Sequence, residues 1–219
     1  MVLSKELVER YLKTDPAQIG HYINSGYMSP KIGPVFQDCK MVGPAYTIRV
    51  AVNDSAIVYY AMKKAPKGSV IVIDRLGDEV YACAGEIVAR SAKALGMAGV
   101  VIDGPSTDVQ AMREIGLPVF STGLSPVTTT LLGLTGEYDI PVQCGGTIVN
   151  PGDIIFGDDN GVIVIPPEKA EELLLKAEEA DRKEEKLRAI FEEGKYVDYC
   201  TNIDALVETD HRPYFKELK

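Results

Sequence analysis

The sequence predicts an α/β domain, with helices packed on a parallel or mixed sheet. Ser69–Asp74 and Gly99–Asp103 are short apolar runs rich in β-branched residues, which is typical of strands buried on both faces. A helical pattern follows each run after a turn, and this alternation predicts parallel strands joined by crossover helices. The length of 219 residues, with 46% hydrophobic and 25% charged residues, fits one such domain.

Short elements precede the first buried strand. Apolar residues at helical spacing predict two lead-in helices, Pro and Gly mark a loop, and a β-rich run comes before a Ser-capped helix. These segments are Lys5–Lys13, Ala17–Ile23, Lys31–Cys39, Met41–Val52 and Ala56–Lys64.

Beyond the buried strands, the pattern changes from alternating units to β-rich sequence and then to one long helix. Two helices and a strand complete the alternating part, at Gly85–Leu95, Val109–Ile115 and Pro118–Phe120. Three short strands follow, at Ile140–Gln143, Gly146–Val149 and Ile163–Ile165. A charged helix over Glu168–Glu193 ends at Gly194 and carries Glu/Lys and Glu/Arg pairs four residues apart. We therefore predict one domain over 1–194 and a C-terminal arm over 195–219.

Composition excludes several functional classes. The net charge of -9 argues against a nucleic-acid-binding body, because phosphate contacts need clustered Lys and Arg. No apolar run approaches the roughly 20 residues that span a bilayer, and Met1–Thr14 lacks the apolar core of a signal peptide. We therefore expect a cytoplasmic protein that binds neither nucleic acid nor membrane.

Cysteine and histidine are sparse. The four cysteines form no CxxC pair, so we expect buried small hydrophobes rather than a zinc cluster or disulfides. Only two histidines are present, near the two ends. Carboxylates and main-chain amides are therefore the groups to examine for chemistry.

The first candidate loop, Ala82–Glu86, leads into a helix. The main-chain N–H groups of Glu86, Ile87 and Val88 would lie at the positive end of the helix dipole, where a carboxylate or phosphate binds well. The alternative is purely structural, with Gly85 permitting a tight turn and Glu86 complementing the dipole.

The second candidate loop, Asp103–Asp108, opens the next helix. Asp108 is either an N-cap or an oxygen ligand for Mg²⁺, which commonly takes one or two carboxylates and keeps several waters. If both loops lie on one edge of the sheet, Glu86 and Asp108 could share a metal-bound water. Asp103 either has a structural role or orients the Asp108 loop, and Gly157–Gly161 is more typical of a hairpin turn than of a calcium loop.

These loops carry a resemblance to a known family. The segments Ala84–Gly104, Thr107–Val109, Ile115–Phe120, Val149–Asp153 and Asp158–Val162 are similar, in this order, to the RraA-like family. That family includes class II 4-hydroxy-4-methyl-2-oxoglutarate/4-carboxy-4-hydroxy-2-oxoadipate aldolases and the regulator of ribonuclease activity A. The resemblance covers roughly 43–167 and implies an α/β/α swivelling-domain fold, with a trimer or a hexamer whose sites lie between subunits.

The resemblance also implies roles for individual residues. Asp108 matches the aspartate that binds Mg²⁺ or Mn²⁺ in the aldolases, and the Gly85–Glu86 loop matches the loop whose amides hold the oxo-acid carboxylate. Two positions depart from the aldolase pattern, because Thr107 stands in place of the substrate-contacting arginine and Ala111 in place of a later acidic residue. Arg75, which follows a buried strand, is our candidate for a substitute cation.

Three functions remain open at this point. The leading hypothesis is a divalent-metal-dependent lyase that forms pyruvate from a small 2-oxo or hydroxy acid, by retro-aldol cleavage or decarboxylation. In it, Asp108 holds Mg²⁺ or Mn²⁺, Glu86 positions a water, the Gly85–Val88 amides bind a carboxylate, and Thr107 is a polar contact. The alternatives are a noncatalytic regulatory protein resembling the ribonuclease regulator and a different reaction on the same scaffold.

Overall fold

The computed structural model describes residues 3–51, 53–196 and 207–208, and it has the mixed α/β architecture that the sequence predicts. The strands are β1 (Gly33–Pro34), β2 (Met41–Arg49), β3 (Val70–Asp74), β4 (Gly99–Asp103), β5 (Pro105–Ser106), β6 (Val119–Ser121), β7 (Gly123–Leu124), β8 (Glu137–Tyr138), β9 (Val142–Cys144), β10 (Thr147–Val149), β11 (Ile154–Asp158) and β12 (Gly161–Ile165). The helices are α1 (Lys5–Tyr11), α2 (Pro16–Gly20), α3 (Ala56–Met62), α4 (Glu86–Ala94), α5 (Val109–Ile115) and α6 (Ala170–Glu192), with a 3₁₀ turn at Pro167–Lys169.

The main sheet has eight strands in the order β1-β6-β4-β3-β2-β11-β12, and β8 also pairs with β2. Strands β2, β3, β4 and β6 are parallel, whereas β1, β8, β11 and β12 pair antiparallel to their neighbours. In the parallel register, Arg49 lies beside Asp74 and Asp74 beside Asp103. The carboxyl ends of the three central strands therefore meet at one edge of the sheet.

Alternation along the central strands explains the two covered faces. Ile71 and Ile73 belong to a core shared with α3, α4 and α5, while Val70 and Val72 pack with side chains of the β9–β10 hairpin. Each Val or Ile buried in this way contributes roughly 1.5–3 kcal/mol relative to an exposed side chain. Because both faces are covered, the strand ends and their loops are the places where a small molecule can approach.

A third apolar cluster covers β11 and β12. Tyr11 on α1 and Leu174 on α6 are fully buried there, and the Tyr11 hydroxyl donates to the carbonyl of Ala170 at 2.8 Å. The sequence left β11 unassigned, although this strand pairs with both β2 and β12 in the main sheet. The hairpin turn predicted at Gly157–Gly161 is confirmed, since Asp158 pairs with Gly161 between β11 and β12.

Chain contacts divide the protein into two compact units, Met1–Glu178 and Glu179–Lys219. In the second unit, Lys183 pairs with Glu179 at 2.7 Å, as the four-residue spacing predicts. The predicted boundary between a domain over 1–194 and an arm over 195–219 stays a prediction, and most of that arm lies outside the described residues. The described helices include none that is long and apolar enough to cross a bilayer.

The described cysteines confirm the expectation of buried hydrophobes. Cys39, Cys83 and Cys144 are free and buried, and Cys200 lies outside the described residues. Burial raises the pKa of the Cys83 thiol to about 11, which keeps it protonated at neutral pH.

Candidate active site

The two candidate loops meet at the carboxyl edge of the parallel strands. The loop after β3 leads into α4, and the loop after β4 leads into α5. The main-chain N–H of Glu86 donates to Oδ2 of Asp108 at 2.9 Å, and the N–H of Thr107 donates to the carbonyl of Ala84 at 3.2 Å. The Ser106 hydroxyl also donates to Ala84, at 3.0 Å. Glu86 and Asp108, 22 residues apart, are thus held in one site.

Gly85 permits this approach for a steric reason. A Cβ atom at this position would lie 2.4 Å from Oδ2 of Asp108 and 2.7 Å from Cγ2 of Thr107. Both distances are far below van der Waals contact, and the φ of Gly85 is -139°, which any residue can adopt. A glycine is therefore required by the closeness of the second loop, rather than by the turn that the sequence suggested.

Asp108 has an unusual backbone for a helix-capping residue. Its φ of 56° and ψ of 39° place it in the left-handed region, and its side chain makes no capping hydrogen bond to its own helix. Such a conformation costs on the order of 1 kcal/mol in a non-glycine residue and is concentrated at functional sites. The exposed carboxylate points instead to the first amide of α4.

The amino terminus of α4 supplies main-chain donors beside that carboxylate. The first N–H to bond within the helix is that of Ala89, which donates to Gly85 at 3.0 Å. The Glu86 amide is engaged by Asp108, so the three donors predicted from the sequence become two, Ile87 and Val88, for an external anion. Their position at the positive end of a nine-residue helix suits a carboxylate.

Asp108 separates two clefts. One, which we call the acidic cleft, is lined by Glu86, Asp108, Val109, Gln110, Ala111 and Glu114. The other, which we call the hydroxyl cleft, has a volume of about 230 Å³ and is lined by Ser55, Tyr59, Ala82, Cys83, Gly85, Glu86, Ile87, Val88, Thr107, Asp108, Thr128, Thr129 and Leu131. Every site residue predicted from the sequence, except Arg75, lines the hydroxyl cleft.

Arg75 lies elsewhere. Its side chain is fully buried, forms an ion pair with Asp78 and packs so closely on Gly104 that a Cβ there would lie 2.7 Å from Cγ of Arg75. It lines neither cleft. The structure thus does not bring this candidate cation to Asp108. The neighbouring Asp103 accepts from the Gly145 N–H at 2.9 Å, which ties the end of β4 to the β9–β10 hairpin.

Glu86 has a charged neighbour on its own helix. Nε of Arg90 donates to Oε1 of Glu86 at 2.8 Å, and both side chains are substantially exposed. An exposed pair at this spacing contributes about 0.3–0.5 kcal/mol. Arg90 therefore partly offsets the charge of Glu86 but adds little to the stability of the site.

The far wall of the hydroxyl cleft comes from residues that the sequence analysis missed. Ser55 precedes α3, whereas Thr128, Thr129 and Leu131 belong to the segment 127–136, for which no element was predicted. Oγ1 of Thr129 donates to Oγ of Ser55 at 2.8 Å. A run of three threonines next to two leucines was the available signal, but it does not reveal a partner 74 residues away.

Asp54 fixes this wall. Its fully buried carboxylate accepts main-chain hydrogen bonds from Ala56 at 3.0 Å, from Leu132 at 3.0 Å and from Leu134 at 2.6 Å. These main-chain donors hold the pKa of Asp54 far below its ordinary value, and the Ala56 N–H has the largest effect. The carboxylate is therefore charged at neutral pH and joins the start of α3 to the segment 127–136.

The donor set around Asp108 fits one class of metal ion. Among the described residues, no three His, Cys, Asp or Glu side chains converge into a complete cage for a metal. Asp108, Glu86 and Glu114 nevertheless line one open cleft and offer only oxygen. This arrangement fits Mg²⁺ or Mn²⁺ held by one or two carboxylates with several waters, and it does not fit zinc, which prefers nitrogen and sulfur.

Comparisons with known proteins identify relatives of this chain. A protein of Halalkalibacterium halodurans, named as a 4-hydroxy-4-methyl-2-oxoglutarate aldolase, is 39% identical over 158 residues, which are 72% of this chain and 75% of that protein. The solved structure of RraAS2 from Streptomyces coelicolor, described as an unusual member of the RNase ES inhibitor RraA family, has a TM-score of 0.75 at 28% identity. The match covers 86% of this chain and 98% of the RraAS2 chain.

A second solved structure, the RNA-processing inhibitor RraA from Thermus thermophilus, has a TM-score of 0.62 at 26% identity, covering 68% of this chain and 91% of its own. The family model described as RraA-like, Aldolase/RraA, matches residues 17–164, which include every strand from β1 to β11 and both candidate loops. The chain therefore belongs to the RraA-like family.

Proposed function

We propose that this protein is a divalent-metal-dependent lyase that releases pyruvate from a small 2-oxo acid, with retro-aldol cleavage as its reaction. The observation that carries the proposal is the 2.9 Å contact between the Glu86 amide and Oδ2 of Asp108. It places an exposed carboxylate beside the free donors of a helix amino terminus, so that a cation and a substrate carboxylate can be bound side by side. The relative named as an aldolase supports the same reaction class.

In this proposal, the substrate carboxylate accepts hydrogen bonds from the amides of Ile87 and Val88, and Asp108 holds Mg²⁺ or Mn²⁺. The bound ion supplies positive charge near the 2-oxo group, where negative charge grows during cleavage. Ala111 and Thr107, which replace charged residues of the aldolase pattern, leave this charge stabilisation to the ion and the helix dipole.

Retro-aldol cleavage of a 4-hydroxy-2-oxo acid needs no reactant besides the substrate. Glu86, directly or through a water, takes the proton of the C4 hydroxyl, and the C3–C4 bond breaks as C4 becomes a carbonyl. The bonding pair passes to C3 and forms the enolate of pyruvate, which takes up one proton at C3. Glu86 is suited to this role by its place in both clefts, next to Asp108.

The test is a pyruvate assay with Mg²⁺ or Mn²⁺, coupled to lactate dehydrogenase, on the unmodified protein and on Asp108→Asn. Because the variant keeps its size but loses the charge that would hold the ion, we expect cleavage to fall by about 100-fold or more, with loss of Mg²⁺ binding in calorimetry. Glu6→Gln, which removes an exposed carboxylate on α1, is the matched control and should behave as the unmodified protein. Unchanged activity and Mg²⁺ affinity in Asp108→Asn would refute the proposal.

A second candidate is a noncatalytic regulator of RNA processing. It is favoured by Thr107 at the position of the aldolase arginine and by the two solved structures described as RNA-processing or ribonuclease inhibitors. A ribonuclease inhibition assay separates the two. Inhibition that Asp108→Asn leaves intact, without pyruvate release from any 2-oxo acid, would favour the regulator.

We also propose that the protein forms a homo-oligomer, a trimer or a hexamer. Leu131, Leu132 and Leu134 are 66%, 55% and 70% exposed on the segment that walls the hydroxyl cleft. Neighbouring apolar side chains with this exposure are typical of an interaction surface. Light scattering on the purified protein measures the assembly, and a monomer at micromolar concentration would contradict it.

A further inference from the structure

The far wall of the hydroxyl cleft indicates which chemical group the unreactive end of the substrate carries. Oγ1 of Thr129 donates its proton to Oγ of Ser55 at 2.8 Å, and Oγ of Ser55 donates in turn to the carbonyl of Thr130 at 3.4 Å. A hydroxyl has one proton and two acceptor lone pairs. Because both protons have acceptors within the protein, the Ser55–Thr129 pair offers lone pairs to a ligand, and so it can accept hydrogen bonds from one.

A carboxylate has no proton to donate and therefore gains nothing from such a wall. The charged side chains that line this cleft are both acidic, Glu86 and Asp108, and none of its described lining residues is Lys or Arg. A second substrate carboxylate would thus be desolvated near two carboxylates, while the ion proposed at Asp108 is engaged at the 2-oxo end of the substrate, and this is costly. A substrate hydroxyl, in contrast, can donate to the Ser55–Thr129 pair.

The wall is held in place before a substrate arrives. The main-chain N–H of Ser55 donates to the Thr130 carbonyl at 2.9 Å, and the buried carboxylate of Asp54 binds the Leu132 and Leu134 amides. The cleft volume of about 230 Å³ is below the roughly 300–1,000 Å³ of pockets for drug-sized ligands. The far wall is therefore positioned by main-chain hydrogen bonds, and the cleft is sized for a small molecule.

We propose that the substrates of this protein are 2-oxo acids with a single carboxylate and a hydroxylated far end, which the Ser55–Thr129 pair recognises. This inference rests on the proposed lyase function. The carboxylate and the 2-oxo group lie at the Ile87 and Val88 amides and at Asp108, and the far hydroxyl donates to the opposite wall. Asp54 is a positioning residue, because it acts through the segment that it anchors.

Three five-carbon acids that differ only at C5 test this proposal. The dihydroxy acid, 4,5-dihydroxy-2-oxopentanoate, would give pyruvate and glycolaldehyde. The methyl compound, 4-hydroxy-2-oxopentanoate, would give pyruvate and acetaldehyde. The dicarboxylate, 4-hydroxy-2-oxopentanedioate, would give pyruvate and glyoxylate. We expect kcat/KM with Mg²⁺ to be highest for the dihydroxy acid, by about tenfold over the methyl compound, as the loss of one hydrogen bond implies, and lowest for the dicarboxylate.

The Thr129→Val variant tests whether the far wall causes the preference for the dihydroxy acid. Removing the hydroxyl should lower kcat/KM for the dihydroxy acid by about tenfold and lower that for the methyl compound much less, because only the first substrate donates a hydrogen bond to the pair. Thr135→Val, which alters an exposed threonine of the same segment outside the cleft, should change neither value. Circular dichroism verifies that both variants are folded.

The outcomes separate the two proposals. Cleavage of the dicarboxylate as fast as or faster than the dihydroxy acid, or an equal loss for both monocarboxylates in Thr129→Val, overturns the substrate assignment while the lyase function stands. Cleavage of none of the three acids overturns the lyase function and the substrate assignment together.

Discussion

The two walls of the hydroxyl cleft differ in how the sequence encodes them. The near wall consists of two loops that follow consecutive parallel strands, β3 and β4, so the strand-helix alternation alone brings Glu86 and Asp108 to one edge. The far wall joins Ser55 to the segment 127–136 through contacts between residues more than 70 positions apart. Local patterns thus predict the wall with the proposed chemistry, whereas the wall with the proposed specificity depends on tertiary contacts.

Gly85→Ala is expected to have the largest effect, because it strikes the contact that holds the near wall together. The added Cβ would lie 2.4 Å from Oδ2 of Asp108 and must displace the carboxylate. A displacement of about 1 Å at a reacting group can cost about 100-fold in rate, so we expect a loss of that size in kcat/KM with weaker Mg²⁺ binding.

The control for this variant is Gly20→Ala, where the added Cβ would meet no atom within 4 Å apart from its neighbours in the chain and in its own helix. Activity assays and calorimetry on both variants make the comparison. A Gly85→Ala protein with full activity would mean that the close packing of the two loops is irrelevant to catalysis.

Asp54→Asn tests the far wall and is expected to have an intermediate effect. The amide keeps one acceptor oxygen but loses the charge that binds the Leu132 and Leu134 amides. Loosening of the segment should lower kcat/KM for the dihydroxy acid by about tenfold, with a smaller change for the methyl compound. Similar losses for both substrates would show that Asp54 supports the fold generally, without a specific role in the far wall.

The same residue predicts a pH dependence of stability. The main-chain donors lower the pKa of Asp54 in the folded state, so the unfolded chain binds more protons below its ordinary pKa of about 3.9. This contribution is present above about pH 4 and is lost as the pH falls further. Urea unfolding between pH 3 and 7 should therefore show a steeper acid loss for the unmodified protein than for Asp54→Asn, and equal slopes would contradict the assignment.

Arg90→Gln is expected to have the smallest effect. The Arg90–Glu86 pair is exposed, and the position of Glu86 is set by its main-chain contact with Asp108. We expect less than about 0.5 kcal/mol of stability and a change in kcat/KM within about threefold. A large loss of activity would show that the Arg90–Glu86 ion pair, rather than the backbone contact with Asp108, holds the near wall in place.

The same distinction explains how much of the fold the sequence predicted. The buried runs at Val70–Asp74 and Gly99–Asp103 were predicted within one residue, because an apolar β-branched run between turns has few other solutions. The strand β11 was missed, since its apolar residues Ile154–Phe156 form too short a run between two turn signals. Its place beside β2 is decided by partners distant in the chain.

The candidate site shows the same limit. The positions of Glu86 and Asp108 follow from topology, but the engagement of the Glu86 amide by Asp108 and the steric need for Gly85 require coordinates. Arg75 was chosen for its place after β3, yet strand position does not determine the direction of a side chain, and this one is buried against Gly104 and Asp78. Ser55 and Thr129 carried no local signal that they would meet.

The most direct measurement of the central claim is a crystal structure of the protein with Mg²⁺ and oxalate, a mimic of the pyruvate enolate. We predict an oxalate carboxylate within about 2.7–3.2 Å of the main-chain nitrogens of Ile87 and Val88, with the metal ion beside Asp108. Oxalate bound away from the start of α4, or a metal ion that does not involve Asp108 at all, would contradict the account.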